Sequence, residues 1–362
     1  MTVRLCFDNV DAVEERVRAF FASPSAGPAD ILAGALPFDR MGTVLLFRPD
    51  HVERREGVLP TAQGVKAQVH AMAEWPGSAD YAAMVSAALD RIGAAAEDGL
   101  RKVVLARSLR IDMSAPVDPL SIAARLAGDI SVTTFLVDLR QRQEDAPRAL
   151  VGATPELLLL RRGLAVVSHP LAGSAPRTAD RAEDRAVAEA LLRSEKDRRE
   201  HALVTEAVFD LLAPHCARLS APDGMALRST ATMWHLGTRI EGVLKSADAP
   251  SAAGLAALLH PTPAVGGDPR DLALDAIREL ERHDRGYYAG AVGWVDGRGD
   301  GEWHVALRCA EVAGSRLTLH AGAGIVSGSE PEKEVAETAA KFRAMLHALG
   351  VDEHGRIVEA VS

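Results

Sequence analysis

The sequence predicts an α+β fold, a sandwich of mainly antiparallel β-sheets flanked by helices. Apolar segments with period-two alternation follow one another in hairpin-like succession, and a few long segments with helical spacing lie between them. No internal repeat, low-complexity tract or obvious linker divides the 362 residues, which are enough for one large domain with a substantial core. We therefore expect one domain in which residues 1–80 form a variable N-terminal part, residues 81–350 form the functional core and residues 351–362 form a tail.

The first region contains few clear signals, and the pattern sharpens from Lys102 onward. The segment AVEERVRAFFA is typical of a short amphipathic helix, residues 41–49 are typical of a buried strand, and a helix is predicted over residues 81–96. After it come a strand in KVVLARSLRI, a helix in PLSIAARLAG and a strand in VTTFLVDL.

The following segments predict a strand pair, a long helix and a C-terminal group of strands. ALVGATPELLLLRR and LAVVSHPLAG are both apolar, and Gly163 between them predicts the turn of a strand pair. One long helix is predicted over about residues 181–214. Three alternating segments, AGAVGWVDG, EWHVALRCAEVAG and SRLTLHAGAGIV, predict further strands, and the last helix covers about residues 331–349.

Composition and charge argue against several classes of protein. The net charge of −9 disfavours a nucleic-acid partner, because neutralising phosphates requires a basic surface. The cysteines Cys6, Cys216 and Cys309 have no metal-ligand spacing, which is typical of a reducing compartment. No apolar run approaches the roughly 20 residues that span a bilayer, and the N-terminus lacks the pattern of a signal peptide. We expect a soluble cytoplasmic protein.

Two predicted helices carry acidic side chains next to an apolar face. Glu200 lies four residues before Val204 on the buried stripe, and Asp197 lies three residues before Glu200. The last helix repeats this spacing with Glu334, Glu337 and Lys341. Ordinary solvated ion pairs are one interpretation. The other is that carboxylates near an apolar face require a cation, and all-oxygen ligands of this kind suit Mg²⁺.

Nine segments, in this order, resemble the chorismate-utilising enzyme family, which contains anthranilate, aminodeoxychorismate, isochorismate and salicylate synthases. The segments are KVVLARS, ATPELLL, HPLAGSAPR, SEKDRREHALV, TMWHLGTRIEG, HPTPAVGG, YYAGAVGW, EWHVALRCA and AGAGIVSGSEPEKEVAETAAK. The resemblance covers about residues 81–349. It implies a helix-flanked antiparallel sandwich with the substrate, chorismate, in a buried cleft.

The resemblance also implies a Mg²⁺ site and a set of substrate contacts. Glu200 and Glu337 match the family's Mg²⁺ ligands, and Asp197 and Glu334 match the acids beside them. Chorismate is a dicarboxylate, so a cation between its ring carboxylate and these acids would remove the repulsion. The positions that match the family's substrate contacts are Gly173, Ser174, His235, Arg308, Gly322, Gly324 and Lys341.

Four positions bear on which reaction of the family is catalysed. Lys102 matches the lysine that activates water in isochorismate and salicylate synthases, a role that suits a lysine whose charged form is disfavoured by burial. Glu156 matches the general acid, and its apolar surroundings should raise its pKa. Ala264 stands where the lyase branches have threonine and favours isochorismate synthase, whereas Tyr288 resembles the lyases.

We therefore expect an isomerase, isochorismate synthase, with Mg²⁺ as its cofactor. Salicylate synthase is the alternative, a component of anthranilate or aminodeoxychorismate synthase is less favoured because Lys102 activates water instead of ammonia, and a non-catalytic relative is the rival of a different class. The expected partner is chorismate alone, with no nucleic acid, membrane or amidotransferase subunit, and the chain is expected to be a monomer. Siderophore, menaquinone and other salicylate-like pathways all remain open as consumers of the product.

Overall fold

The computed structural model describes residues 3–24, 26–27, 30–53, 67–94, 99–142 and 144–358. Within these ranges the chain forms strands and helices in alternating groups, which confirms the predicted α+β class. The strands are β1 (Val3–Asp8), β2 (Ile31–Leu36), β3 (Thr43–Arg48), β4 (Val69–Trp75), β5 (Lys102–Met113), β6 (Thr133–Asp138), β7 (Ala149–Thr154), β8 (Leu157–Arg162), β9 (Ala165–His169), β10 (Leu171–Pro176), β11 (Cys216–Ser220), β12 (Met225–Ser229), β13 (Met233–Thr238), β14 (Ile240–Leu244), β15 (Gly267–Asp268), β16 (Ala291–Asp296), β17 (Gly301–Val305), β18 (Cys309–Ala313) and β19 (Arg316–Val326). The helices are α1 (Val13–Phe21), α2 (Ser78–Gly93), α3 (Pro119–Leu126), α4 (Arg181–Arg193), α5 (Glu195–Leu212), α6 (Ala252–Leu259), α7 (Arg270–Leu280) and α8 (Pro331–Leu349), with a short 3-10 helix at Val10–Ala12.

The described strands form two large sheets and one small one, and every pairing is antiparallel. One sheet has nine strands in the order β1-β3-β2-β16-β17-β8-β9-β14-β11, so the N-terminal strands extend a sheet of later strands. The other has seven strands in the order β15-β5-β19-β18-β7-β6, with β4 also paired to β5. The small sheet has the order β10-β13-β12.

The core is aliphatic and is shared by both large sheets. Leu32 and Leu159 of the nine-stranded sheet belong to the same buried cluster as Leu105 and Ile325 of the seven-stranded sheet. A second cluster joins the seven-stranded sheet to α3 and α8. None of the described helices is both long enough and apolar enough to cross a membrane.

The predicted strand pair is confirmed in β8 and β9, which pair antiparallel across the turn at Gly163. The strands are shorter than predicted, because each segment crosses from one sheet to another. ALVGATPELLLLRR divides into β7 in the seven-stranded sheet and β8 in the nine-stranded sheet, with Pro155 and Glu156 between them. LAVVSHPLAG divides at Pro170 into β9 and β10, which belong to different sheets. Proline cannot donate a hydrogen bond to a sheet, so it is a natural place for the strand to end.

EWHVALRCAEVAG, predicted as one strand, also crosses between the large sheets. It divides into β17 and β18, and Arg308 in the crossing has a positive φ of 47°. This crossing is hydrogen-bonded to the crossing between β7 and β8. The amide of Val305 donates to the carbonyl of Glu156 at 3.2 Å, and the amide of Ala153 donates to the carbonyl of Arg308 at 3.1 Å. The two crossings therefore hold Glu156 and Arg308 side by side.

The helix predicted over about residues 181–214 is two helices that meet at Ser194. The backbone of Ser194 is extended, with φ −64° and ψ 114°, and its side chain accepts a hydrogen bond from the amide of Asp197. Serine is a favoured N-cap because its hydroxyl satisfies an amide that the helix leaves unpaired. The break starts α5 at Glu195, two residues before Asp197, so both predicted acids lie in its first two turns.

The remaining predicted helices and strands agree closely with the structure. The last helix has the predicted bounds, Pro331–Leu349, and α2 begins three residues earlier than predicted. The predicted end of that helix, at residues 95–96, lies outside the described residues.

Candidate active site

One cavity lies where the two crossings meet β5, β10, β13 and β19 and the helices α5 and α8. It contains most of the residues that the sequence singled out, although they are spread over more than 180 positions of the chain. Those that line it are Glu156, Gly173, Ser174, Glu200, His235, Ala264, Tyr288, Arg308, Gly322, Gly324, Glu337 and Lys341. Lys102, Asp197 and Glu334 do not line the cavity. Lys102 contacts Glu200 and Asp197 lies against Gly173, both of which line the cavity, whereas Glu334 is paired with Lys196.

Glu156 enters the cavity from the crossing between β7 and β8 as a buried carboxylic acid. Its side chain is 3% exposed. Burial raises the pKa of Glu156 to about 8, although a backbone hydrogen bond from Leu171 and the charges of Lys102 and Lys341 lower it. The desolvation of the carboxylate outweighs the two cations, so the group holds its proton at neutral pH. This direction agrees with the raised pKa expected from the apolar sequence around Glu156.

Three carboxylates of the predicted metal site are paired with lysines. Lys102 Nζ lies 2.9 Å from Glu200 Oε1, and Lys102 is fully buried at the start of β5. Lys341 Nζ lies 2.5 Å from Glu337 Oε1, one helical turn away on α8. The third pair is Lys196 and Glu334, at 2.8 Å between α5 and α8. Each lysine neutralises a carboxylate that would be costly to bury alone.

The acids are close enough to act on one another. Burial raises the pKa of Asp197, and the charges of Glu200 and Glu337 act in the same direction. Burial also opposes ionisation of Glu337, but the charge of Lys341 and a hydrogen bond from Ser174 outweigh it and hold the pKa of Glu337 below its usual range. The site therefore collects negative charge from α5 and α8 at one wall of the cavity.

The donor set of this wall fits a hard divalent cation. Glu200 and Glu337 both line the cavity, and Mg²⁺ typically takes one or two carboxylates and completes its shell with water and substrate oxygens. Among the described residues, no three acidic, histidine or cysteine side chains already form a closed metal cluster. The site resembles one in which a substrate supplies part of the coordination shell.

Two glycines are required because acidic side chains approach them closely. A Cβ on Gly324 would lie 2.1 Å from Glu200 Oε1, and a Cβ on Gly173 would lie 2.9 Å from Cβ of Asp197. Gly173 also has a φ of 77°, which favours glycine. The absence of a side chain at Gly324 thus allows the Glu200 carboxylate to approach β19 closely.

Arg308, His235 and Lys341 supply further polar groups to the cavity. The buried Arg308 guanidinium makes no hydrogen bond or ion pair with any other described residue, although its charge has a cost when it is buried alone. Burial lowers the pKa of His235 well below its usual value, and its Nε2 has no hydrogen-bond partner among the described residues. Lys341 Nζ also donates to the carbonyl of Gly322 at 2.8 Å. An unpartnered arginine and a neutral histidine are suited to an anionic, hydroxyl-bearing ligand.

His320 and Val104 also line the cavity, although neither was predicted as a site residue. His320 stacks on Tyr288, with ring centroids 5.1 Å apart and planes at 14°. The signal for His320 was present, because it lies two residues before Gly322 and four before Gly324 on a strand, and therefore on the same face. Val104 bears the same relationship to Lys102 on β5, but its apolar side chain carries no chemical signal.

The chain is similar to known proteins over most of its length. The family model described as chorismate binding enzyme matches residues 51–350. MenF of Mycobacterium tuberculosis is 46% identical over 342 residues, which cover 93% of this chain and 91% of that protein. Isochorismate synthase DhbC of Bacillus subtilis is 45% identical over 337 residues, which cover 91% and 83%. A crystal structure of DhbC from Bacillus anthracis superposes with a TM-score of 0.88 at 40% identity and covers 97% of this chain and 92% of that one.

The family model spans most of the chain, and relatives well above 30% identity align with nearly all of it. The crystal structure of the Bacillus anthracis protein shares the fold over 97% of this chain. The chain therefore belongs to the chorismate-binding enzyme family.

Proposed function

We propose that this protein is an isochorismate synthase, an isomerase that converts chorismate into isochorismate with Mg²⁺ bound. The observation that carries the proposal is that a protonated Glu156 faces the same cavity as the carboxylates of Glu200 and Glu337. Removing a ring hydroxyl requires a proton donor, and binding a dicarboxylate beside two acids requires a cation. The isochorismate synthase from Bacillus subtilis, at 45% identity, supports the same activity.

In this proposal Lys102 is the general base. It takes a proton from water, and the water oxygen attacks the ring carbon next to the carbon that carries the carboxylate. The ring double bonds shift, and the departing ring hydroxyl takes the proton of Glu156 and leaves as water. One water is added and one is lost, so the product is an isomer of the substrate.

The ion pair between Lys102 and Glu200 constrains the base. Its partner Glu200 is also a proposed metal ligand, and Glu200 Oε1 lies 2.9 Å from Lys102 Nζ. A bound metal ion and Lys102 would therefore share one carboxylate, which would couple the position of the base to metal binding.

Glu200 and Glu337 would hold the Mg²⁺ ion, with Asp197 and Glu334 beside them. When bound, the ion would supply positive charge to the ring carboxylate and to the charge that develops as the ring rearranges. Arg308 and Lys341 would bind carboxylate oxygens of the substrate, and backbone or hydroxyl groups of Gly173, Ser174, Gly322 and Gly324 would complete the contacts. His235 would face the ring substituents as a neutral donor or acceptor.

Salicylate synthase is the second candidate, and Tyr288 is the observation that favours it. Tyr288 lines the cavity, as Ala264 does. Ala264 has no hydroxyl with which to assist the elimination of pyruvate, and this favours release of isochorismate.

The test is to incubate the protein with chorismate and Mg²⁺ and to identify the products by chromatography and mass spectrometry. Isochorismate as the main product supports the proposal. Salicylate with equimolar pyruvate would replace it with the second candidate, and anthranilate formed on addition of ammonium would replace it with the aminating branch. No consumption of chorismate would overturn it.

We also propose that the protein works in the cytoplasm as a monomer, without an amidotransferase subunit. Its cysteines are unpaired, which suits a reducing compartment. Water is the nucleophile in the proposed reaction, so no ammonia supply is needed.

A further inference from the structure

Arg285 and Glu281 form a buried ion pair that lies behind one wall of the cavity. Arg285 is 4% exposed and Glu281 is 7% exposed. Arg285 Nε donates to Glu281 Oε2 at 2.9 Å, and Arg285 Nη2 contacts Glu281 Oε1. Neither residue lines the cavity, and neither lies near the proposed metal ligands in sequence.

The guanidinium of Arg285 connects segments that are distant in sequence. Its Nη1 donates to the carbonyl of Val265 at 2.9 Å, and its Nη2 donates to the carbonyl of Val104 at 2.6 Å. Its partner Glu281 accepts from the amide of Ala106 at 2.7 Å. The planar guanidinium therefore bonds at the same time to the Glu281 carboxylate and to two backbone carbonyls, a geometry that lysine cannot reproduce.

The segments that Arg285 connects form one wall of the cavity. Val104 on β5 lines it, and so does Val265, the neighbour of Ala264. The third segment carries Tyr288, whose amide donates to the carbonyl of Arg285 at 3.0 Å. One side chain and its own carbonyl therefore set the spacing between β5, the Ala264 segment and the Tyr288 segment.

We propose that Arg285, held by Glu281, is a positioning residue that determines whether isochorismate is released intact or loses pyruvate. This inference rests on the proposed function. Pyruvate is lost when the ring C–O bond to the enolpyruvyl group breaks and the hydrogen on the neighbouring hydroxyl-bearing carbon moves to the enolpyruvyl methylene carbon, leaving salicylate. That transfer requires the enolpyruvyl group to fold over the ring. Arg285 holds Val104, the Ala264 segment and the Tyr288 segment close together, and this leaves too little space for the folded conformer. If these segments move apart, the enolpyruvyl group has room to fold over the ring.

A purely structural role is the competing explanation, and the chain offers a matched control. Arg161 is also a buried arginine, at 3% exposure, and it donates to the backbone carbonyls of Gly163, Ala247, Ala249 and Pro250 at 2.8 to 3.1 Å. It does not line the cavity, and the carbonyls it binds do not belong to cavity residues. Arg161→Lys and Arg285→Lys should therefore cost comparable stability, but only the second should alter the cavity.

The experiment compares wild type, Arg285→Lys and Arg161→Lys, with full-length protein, chorismate and saturating Mg²⁺. The ratio of pyruvate to isochorismate is measured by a coupled assay and chromatography, with Tm recorded for each protein. We expect the ratio to rise by about tenfold in Arg285→Lys, because small displacements of a binding wall have effects of this size or larger. We expect Arg161→Lys to keep the wild-type ratio while its Tm falls.

A folded Arg285→Lys variant with the wild-type ratio overturns the proposal, whatever its Tm or kcat. If Arg285→Lys does not fold, Glu281→Gln serves instead, because the isosteric amide keeps the space filled but removes the charge that orients Arg285. An unchanged ratio in that variant would likewise overturn the proposal. Failure of the proposed function is distinguishable, because wild type would then form no isochorismate.

Discussion

The ammonium group of Lys102 lies 2.9 Å from the carboxylate of Glu200, and the two residues come from different secondary structures 98 positions apart. One is the proposed base and the other is a proposed metal ligand. The proposed base therefore packs directly against a proposed metal ligand, so that a displacement of Glu200 also changes the surroundings of Lys102.

Replacing Glu156 with glutamine should remove the proton donor without emptying the space. We expect kcat to fall by about 10²- to 10⁴-fold, which is the usual contribution of a general acid. Steady-state kinetics with chorismate measure this, and circular dichroism checks the fold. Glu189→Gln, on the exposed side of α4, is the control and should retain wild-type kcat. Normal turnover by Glu156→Gln would show that the proton comes from elsewhere.

The raised pKa of Glu156 also predicts how stability changes with pH. Glu156 has a folded-state pKa of about 8 against a usual value of 4.5, so the folded protein binds more protons than the unfolded chain between these values. Its contribution to stability is fully present below about pH 4.5 and is lost as pH rises to about 8, at up to about 1.4 kcal/mol per pH unit.

Urea unfolding of wild type and Glu156→Gln across this pH range measures the effect. The difference between their free energies of unfolding should shift steadily in favour of Glu156→Gln as pH rises, and it should level off above about pH 8. A constant difference would mean that Glu156 is ionised at neutral pH. In the same way, kcat of the wild type should decline above about pH 8, because the acid has then lost its proton.

Gly324→Ala should displace Glu200. The new Cβ would lie 2.1 Å from Glu200 Oε1. Because β19 is paired along its length with β5, its backbone cannot move away to relieve this clash without breaking hydrogen bonds of the sheet. We expect at least about a tenfold loss of Mg²⁺ affinity, measured by calorimetry, because a metal ligand must be held within a few tenths of an ångström. Gly93→Ala, where the added Cβ meets nothing within 4 Å, is the control and should bind Mg²⁺ as wild type does. Equal affinities in the two variants would place the metal away from Glu200.

Glu337→Gln should abolish Mg²⁺-dependent turnover while the protein stays folded. The substitution removes one of the two carboxylates that line the cavity and leaves Lys341 without its ion pair. Chelation of the wild type with EDTA should produce the same loss, reversed by added Mg²⁺. Glu332→Gln, in the first turn of the same helix, tests whether the loss of Mg²⁺-dependent turnover is specific to Glu337 or follows the replacement of any glutamate of α8. Turnover by Glu337→Gln that still responds normally to Mg²⁺ would contradict this metal site.

Residues within one strand or one helix were the part of the site that the sequence could predict. Gly322 and Gly324 share a face of β19 because side chains alternate on a strand, and Glu334, Glu337 and Lys341 share a face of α8 because of helical spacing. The fold class followed from the same periodicities.

The contacts between distant segments could not be predicted in this way. The pairs of Lys102 with Glu200 and of Lys196 with Glu334 join different elements, and nothing in the periodicity of either partner specifies the other. The crossings at Glu156 and Arg308 were missed because the strand on each side of a crossing is equally apolar, so the hydrophobic pattern continues while the hydrogen-bonding partner changes. Only Pro155 marked one of them. The break at Ser194 was hidden for the same reason, because helical spacing resumes immediately after it.

The hydrogen bonds between the two crossings determine where the chain can accept insertions or deletions without altering the site. The crossing that carries Glu156 and the crossing that carries Arg308 are tied to each other at both ends, and each is continuous with one strand of either sheet. Their separation is therefore insensitive to the outer edges of the sheets, where β1 and β11 end one sheet and β6 ends the other. Insertions or deletions in the turns at those edges should leave the spacing between acid and arginine intact. The same edit next to Pro155 or Ala306 would shift both residues together.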